Sequence, residues 1–277
     1  MTAAHLSNRW LIALDVDGTV LREDGTLSAV VAQQIARVAA LGHELTIATG
    51  RAVATTLPLV EELRIRPAFL VCANGAITMR RDPDAQPESA QGAYVRDTVE
   101  TFDPAEVLTT IRGHLSTARY GVEDENEEFL YAGGEFPEGG LQPVGRRVEF
   151  EELLDVRATR VVVISPEHAV EDFLAVVERM GLHRVTYTVG WTAWLDVAPA
   201  GVNKAVALER VRRRLRIPRS RVMAIGDGRN DIEMLEWAAE SGRGIAMGQA
   251  PPEVRLAASE TTGADIRDGV ATVLAGF

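Results

Sequence analysis

The chain has 277 residues, 46% of them hydrophobic and 25% charged, with a net charge of -11. That length suits one large domain or two moderate ones, and the composition excludes a disordered, collagen-like or coiled-coil chain. The acidic balance argues against a nucleic-acid binder, which needs a basic surface to release counterions. The one dense basic run, Arg212–Arg214 with Arg210 and Arg216 beside it, reads as a solvated helix face. A single cysteine, Cys72, excludes an intramolecular disulfide and fits a reducing, cytoplasmic setting. It lies in an apolar run, so a buried structural thiol is expected rather than a nucleophile. No signal-peptide pattern and no stretch of about 20 apolar residues is seen, so a membrane partner is not expected either.

In chain order, Trp10–Leu14 is a short continuous apolar run, as in a buried parallel strand. Ser28 is placed to cap a helix reaching Leu41, with Gly42 as its stop. Leu45–Ala48 is a second strand. A helix follows from Ala52 to Leu63, with a kink expected at Pro58. Ala68–Cys72 is a third strand, and the alternation implies a parallel sheet. Near Arg80 the rhythm changes. Arg81–Ser89 reads as an exposed boundary loop, and Asp103–Glu106 as a capping box with Pro104 opening a helix. Further on, a strand over Thr159–Ile164, a helix over Glu167–Met180 and a strand over Arg184–Val189 suggest an α+β unit. After Trp194 the βα rhythm returns. A helix over Asn203–Leu215 leads to a strand over Val222–Ile225, and a helix over Asp231–Ala238 leads to a strand over Ile245–Met247. The expected fold is therefore α/β: a Rossmann-like parallel-sheet core in two parts, 1–82 and 190–277, with an inserted α+β cap domain at 83–189.

Chemistry is expected where apolar strands end, because ligands of open α/β sheets gather at the carboxyl ends of the strands. Asp15-Val16-Asp17-Gly18-Thr19 follows the first strand. The two-residue strand period starts both carboxylates on one side. One can attack or bind metal while the other shuttles a proton. A polar turn is the bland alternative for this segment taken alone. Gly226-Asp227-Gly228-Arg229-Asn230-Asp231 follows another strand and adds two carboxylates. Asp15, Asp17 and Asp227 could share a hard cation such as magnesium, which prefers oxygen ligands. Thr49-Gly50-Arg51 offers a hydroxyl and free backbone amides at a helix start, a phosphate-binding arrangement. Lys204 opens a later helix, where it is either a phosphate counter-charge or a surface lysine.

These four segments, in this order, resemble the haloacid dehalogenase superfamily of phosphohydrolases. The stretches Ala73–Ala76, Ile245–Gly248 and Asp268–Val270 are similar to its Cof-type subfamily, whose cap lies between the second and third motifs. The resemblance implies Asp15 as a nucleophile that forms an aspartyl-phosphate, and Asp17 as general acid and base. It implies magnesium held by the Asp15 carboxylate, the Asp17 backbone carbonyl and the Asp227 carboxylate. Thr49, Gly50 and Lys204 are implied to hold phosphoryl oxygens, with Asn230 close by, Asp231 behind Lys204 or the metal, and Arg51 and Asn74 near the substrate. Gln249 departs from the asparagine frequent in that subfamily, and Asn203 from a small residue. The implied substrates are small phosphorylated metabolites, sugar phosphates first, with glycosyl phosphates such as mannosyl-phosphoglycerate also in range. Two alternatives share the motifs: a phosphomannomutase-like phosphotransferase, and a binding protein of the same fold without turnover. A serine hydrolase is excluded by the lack of a G-x-S-x-G elbow, and the five histidines form no zinc pattern.

Overall fold

The computed structural model describes residues 8–85, 90–134, 136, 145–180, 182, 185–189 and 193–277. Part of the expected boundary loop (86–89) and Arg184 lie outside the described residues. The first strand, β1 (Leu11–Leu14), is buried along its whole length. Each such aliphatic side chain contributes roughly 2 kcal/mol of burial. Helix α1 (Ala29–Ala40) follows. Ser28 stands at its N-cap position, but its side chain makes no capping hydrogen bond. Strand β2 (Glu44–Ile47) leads to α2 (Val53–Glu62), which runs through Pro58.

Strands β3 (Phe69–Cys72), β4 (Ile77–Arg81) and β5 (Tyr94–Val99) form a separate antiparallel sheet. The expected third parallel strand is thus only half right: β3 touches the parallel system through one bridge, Ala48 to Val71. The reason lies in Ala73, Asn74 and Gly75, with φ of +48°, +52° and +101°. Three left-handed residues in a row reverse the chain into β4 instead of launching a helix.

The next elements are α3 (Ala105–His114), β6 (Arg119–Asp124), β7 (Phe129–Ala132), β8 (Arg146–Arg147), α4 (Phe150–Leu153), β9 (Ala158–Ile164), α5 (Val170–Met180), β10 (Val185–Val189) and β11 (Trp194–Pro199). They form a six-stranded sheet in the order β10-β11-β9-β6-β7-β8. Its last strand lies past residue 189, where the sequence reading ended the insert, and β5 pairs with β4 outside it. The expected capping box at α3 is absent. Pro104 is the N-cap, so Asp103 falls one position short and its Oδ1 accepts from the Ala105 N–H at 2.9 Å. Apolar side chains from α3 and α5, among them Leu108, Ile111 and Phe173, pack on one face of this sheet.

The chain then returns through α6 (Lys204–Leu215), β12 (Val222–Gly226), α7 (Ile232–Ala239), β13 (Arg243–Ala246), α8 (Pro252–Ala257), β14 (Glu260–Thr261) and α9 (Gly269–Leu274). A five-stranded sheet, β14-β13-β12-β1-β2, is parallel throughout. The register pairs Leu14 with both Ile225 and Ile47. The carboxyl ends of β1, β12 and β2 therefore lie side by side, each followed at once by one of the polar motifs. The basic run on α6 is neutralised: Arg210 pairs with Glu100, Arg212 and Arg213 with Glu209, and Arg214 with Asp97. Cys72 is buried, and burial pushes its thiol up to about 12. No helix among the described residues is long and apolar enough to cross a membrane.

Candidate active site

Asp15 continues β1 by one residue, its N–H bonding to the Ile225 carbonyl at 3.0 Å. Its side chain meets Lys204, whose Nζ donates to Asp15 Oδ1 at 2.6 Å and to Asp231 Oδ1 at 2.7 Å. Lys204 is fully buried, which answers the open alternative of a surface lysine. It sits there because Asn203 caps α6, accepting from the Val206 N–H at 2.9 Å, so the first helical residue points at the strand ends. Gly75 makes this seat possible: a Cβ at that position would meet the Asn203 carbonyl at 2.4 Å. Burial disfavours the charged ammonium, but Asp15 and Asp231 outweigh it and hold Lys204 above its ordinary range.

Asp231 has both carboxylate oxygens committed. Oδ1 takes the lysine proton, and Oδ2 accepts from the Asp227 and Gly228 N–H groups at 3.0 Å each. It braces the turn that carries Asp227. Asp227 Oδ1 accepts from the Thr19 hydroxyl at 3.0 Å. Asp227 Oδ2 is buried without a hydrogen-bond partner among the described residues. At Gly18, with φ of +78°, a Cβ would fall 2.2 Å from that same oxygen, so only glycine admits this approach.

Carboxylate oxygens of Asp15, Asp227 and Asp231 lie within 4.8 Å of one another. Burial first, and then Asp231, push Asp15 up to about 7 against the pull of Lys204. Burial, followed by Asp15 and Asp231, pushes Asp227 up to about 9. One ammonium does not balance three buried carboxylates. An orphaned, buried oxygen in an all-oxygen donor set fits a hard divalent cation. Asp231 is spent on hydrogen bonds, which leaves carboxylate oxygens of Asp15 and Asp227 for such an ion.

The Asp17 side chain is held elsewhere. Arg51 grips it as a fork, Nε to Oδ2 at 2.9 Å and Nη2 to Oδ1 at 2.5 Å. Thr49 is buried, and its hydroxyl accepts from the Arg51 N–H at 3.1 Å. Asn74 docks on the same loop, its N–H bonding to the Thr49 carbonyl and its Oδ1 accepting from Asn230 Nδ2 at 3.0 Å. The structure thus brings Asp15, Asp17, Thr49, Gly50, Arg51, Lys204, Asp227, Asn230 and Asp231 to one set of strand ends. Arg51 meets Asp17, a contact that the sequence did not suggest.

Three contributors escaped the sequence reading. Thr19 lies in the first motif, and only the structure gives it a partner, Asp227. Gln249 departs from the subfamily pattern, yet its Nε2 donates to the Gly18 carbonyl at 2.5 Å and its Oε1 accepts from the Asp265 N–H at 3.1 Å. Arg160 lines the cleft opposite Lys204 from β9. The signal for it was a lone arginine inside the apolar run of that strand.

A family model for haloacid dehalogenase-like hydrolases matches residues 12–274. The chain is 28% identical to the 5-amino-6-(5-phospho-D-ribitylamino)uracil phosphatase YitU of Bacillus subtilis, over 96% of each chain. It is 27% identical to an HMP-PP phosphatase of Yersinia pseudotuberculosis, over 88% of this chain and 86% of the other. In fold it is similar to the subclass IIB sugar phosphatase BT4131, with a TM-score of 0.79, 20% identity and 97% and 98% of the two chains covered. The phosphatase BT1666 of Bacteroides thetaiotaomicron superposes with a TM-score of 0.72 at 24% identity, over 100% and 97%.

Proposed function

The chain belongs to the haloacid dehalogenase-like hydrolases as a phosphatase, a phosphoric monoester hydrolase, and we propose that it works through an aspartyl-phosphate on Asp15 with magnesium in attendance. The observation that carries this reading is the Asp15–Lys204–Asp231 bridge beside the orphaned Asp227 oxygen. A carboxylate in contact with a buried ammonium, next to an uncompensated anionic pocket, is equipped to attack phosphorus once the pocket's charge is balanced.

In the first step Asp15 attacks the phosphoryl phosphorus, and the ester oxygen leaves with a proton from Asp17. In the second, Asp17 takes a proton from water, whose oxygen attacks the aspartyl-phosphate, releasing phosphate and restoring Asp15. Asp17 must let go of Arg51 and take up a proton from solvent before the first step, and the second step returns a proton to it, so we assign Arg51 the task of parking the ionised carboxylate between turnovers. Lys204, the Thr49 hydroxyl and the Gly50 amide hold the phosphoryl oxygens, and Asn230 closes that side. This is positioning and charge stabilisation, which dominate phosphoryl transfer. Asp15, the Asp17 carbonyl and Asp227 would hold the magnesium. When bound, it neutralises the repulsion between the attacking carboxylate and the phosphate dianion.

For substrate we propose sugar or polyol phosphates within the wider class of small phosphorylated metabolites. The polar cleft above Lys204, lined by Asn74, Asn203 and Thr186 among others, supports this. So does the ribityl phosphate in the name of one relative. Phosphate release from a panel of sugar and polyol monophosphates tests the reading. Release is expected with magnesium, falling to background with EDTA and returning on re-addition. Release that survives chelation would overturn the metal role, and a panel with no turnover would overturn the substrate class.

A further inference from the structure

Across the cleft from Lys204, the six-stranded sheet carries a charged group that the chemistry above does not use. Arg160 on β9 stands opposite Glu123 on β6 in the register and is buried. Its Nε donates to Asp196 Oδ1 at 2.5 Å, and its Nη1 lies 4.0 Å from Glu123 Oε2. Trp194, two residues back on β11, donates from Nε1 to Asp196 Oδ2 at 3.1 Å. Both oxygens of Asp196 are therefore fixed, yet its side chain stays 19% exposed where it meets the cleft. Charge-assisted and ring N–H bonds of this kind hold a carboxylate in one orientation.

The charge balance at this end of the cleft is one-sided. Two cations line it, and both are engaged: Lys204 by Asp15 and Asp231, Arg160 by Asp196 with Glu123 behind. Glu233, on the first turn of α7, adds a second lining carboxylate. A leaving group entering here meets carboxylate, amide and hydroxyl oxygens, and no uncommitted cation among the described lining residues. Such a surface attracts hydrogen-bond donors and repels anions, and specificity built on repulsion is as effective as specificity built on attraction.

We propose that Asp196, held in place by Arg160 and Trp194, is a specificity-determining residue that accepts hydrogen bonds from the leaving alcohol and rejects alcohols carrying a second anionic group. The substrate class narrows to monophosphates whose organic part is a neutral or amine-bearing polyol. Bisphosphates and phosphorylated sugar acids are excluded. The assignment rests on the phosphatase reading, since it concerns the group that reading expels.

The test compares glucitol 6-phosphate with 6-phosphogluconate, which differ only in a far-end hydroxymethyl against a carboxylate. Wild-type kcat/KM should favour glucitol 6-phosphate by at least about tenfold, the scale of one screened like-charge contact. Asp196→Asn should narrow that ratio, mainly through a lower KM for 6-phosphogluconate, and Asp196→Glu should restore it. A purely structural role would lower both substrates together and leave the ratio alone. Trp194→Phe, which frees Asp196 Oδ2 without touching Arg160, should also narrow the ratio and serves if Asp196→Asn does not fold. A wild-type ratio near one, or a ratio unmoved by these variants, overturns the proposal. Failure of the wild-type protein to release phosphate from para-nitrophenyl phosphate with magnesium would instead overturn the phosphatase reading beneath it.

Discussion

At Lys204 one ammonium serves two carboxylates in a fully buried setting, and removing it should be costly in a way that exposes its role. Lys204→Met leaves Asp15 and Asp231 facing each other and Asp227 without their cation. Breaking a buried pair by deleting one partner destabilises by about 3–5 kcal/mol. Urea unfolding in EDTA should show a loss of that size, and saturating magnesium should recover part of it. Recovery of none would argue that no cation reaches Asp15 and Asp227. Asp15→Asn is the opposite case. The amide can still accept from Lys204, and one of three clustered negative charges disappears. The variant should fold at least as stably without metal as the wild type, while phosphate release falls at least a thousandfold, as when a nucleophile is deleted. Activity near the wild-type rate would remove Asp15 from the role proposed for it.

At the scale of single elements, the strands and helices that carry the motifs were legible because each pairs an apolar run with a capping or turn residue. Leu11–Leu14 and Val222–Gly226 are examples. What the sequence hid depends on neighbours far along the chain. That Arg51 would grip Asp17, and Gln249 the Gly18 carbonyl, follows from loop packing across 34 and 231 residues. The partner of β3 was hidden too, because nothing local shows that Ala73 and Asn74 will be held left-handed. The cap strands hide a second case. Glu123 opens the strongly acidic stretch Glu123–Glu128, yet it is fully buried on β6, and neither of its oxygens has a hydrogen-bond partner among the described residues. Burial, countered by Arg160 and reinforced by Glu127, Asp196 and Asp124, pushes it up to about 7. The unfolded chain gives up this proton near pH 4.5, whereas the folded chain keeps it until about 7. Its contribution is therefore complete below pH 4.5 and is lost as pH rises through about 7, a change on the order of 3 kcal/mol. Glu123→Gln should be more stable than the wild type at pH 8, with the gap closing towards pH 5, as read by urea midpoints. A gap independent of pH would mean that Glu123 does not titrate there.

For the molecule as a whole, the groups around Lys204 and those around Arg160 arrive on different sheets. Asp15, Asp17, Thr49, Lys204 and Asp227 stand at the ends of β1, β2 and β12 or at the start of α6, whereas Glu123, Arg160 and Asp196 belong to the six-stranded sheet. Lys204 from the first set and Arg160 and Asp196 from the second line one cleft. The chain passes from β5 into the second sheet near Phe102 and returns after Pro199, so we take 102–199 as the exchangeable unit. Its ties to the rest include Arg96 with Glu127 and the Glu125 carbonyl, and Arg157 with Thr101. These contacts are at the surface, and exposed pairs of this kind contribute about 0–1 kcal/mol each. Remote binding energy collected by such a part favours a substrate that fills it, and closure excludes water from the reacting groups. Replacing 102–199 with the matching segment of a phosphatase of different preference should transfer that preference. Hydrolysis of para-nitrophenyl phosphate should persist in the chimera, because every group assigned to bond breaking stays in place. The measurement is a kcat/KM profile over a metabolite panel for the folded chimera beside both parents. A profile that keeps the preference of the original core would place specificity at Asn74, Asn203 and Glu233 on the core side of the cleft, and Asp196 would then be a bystander.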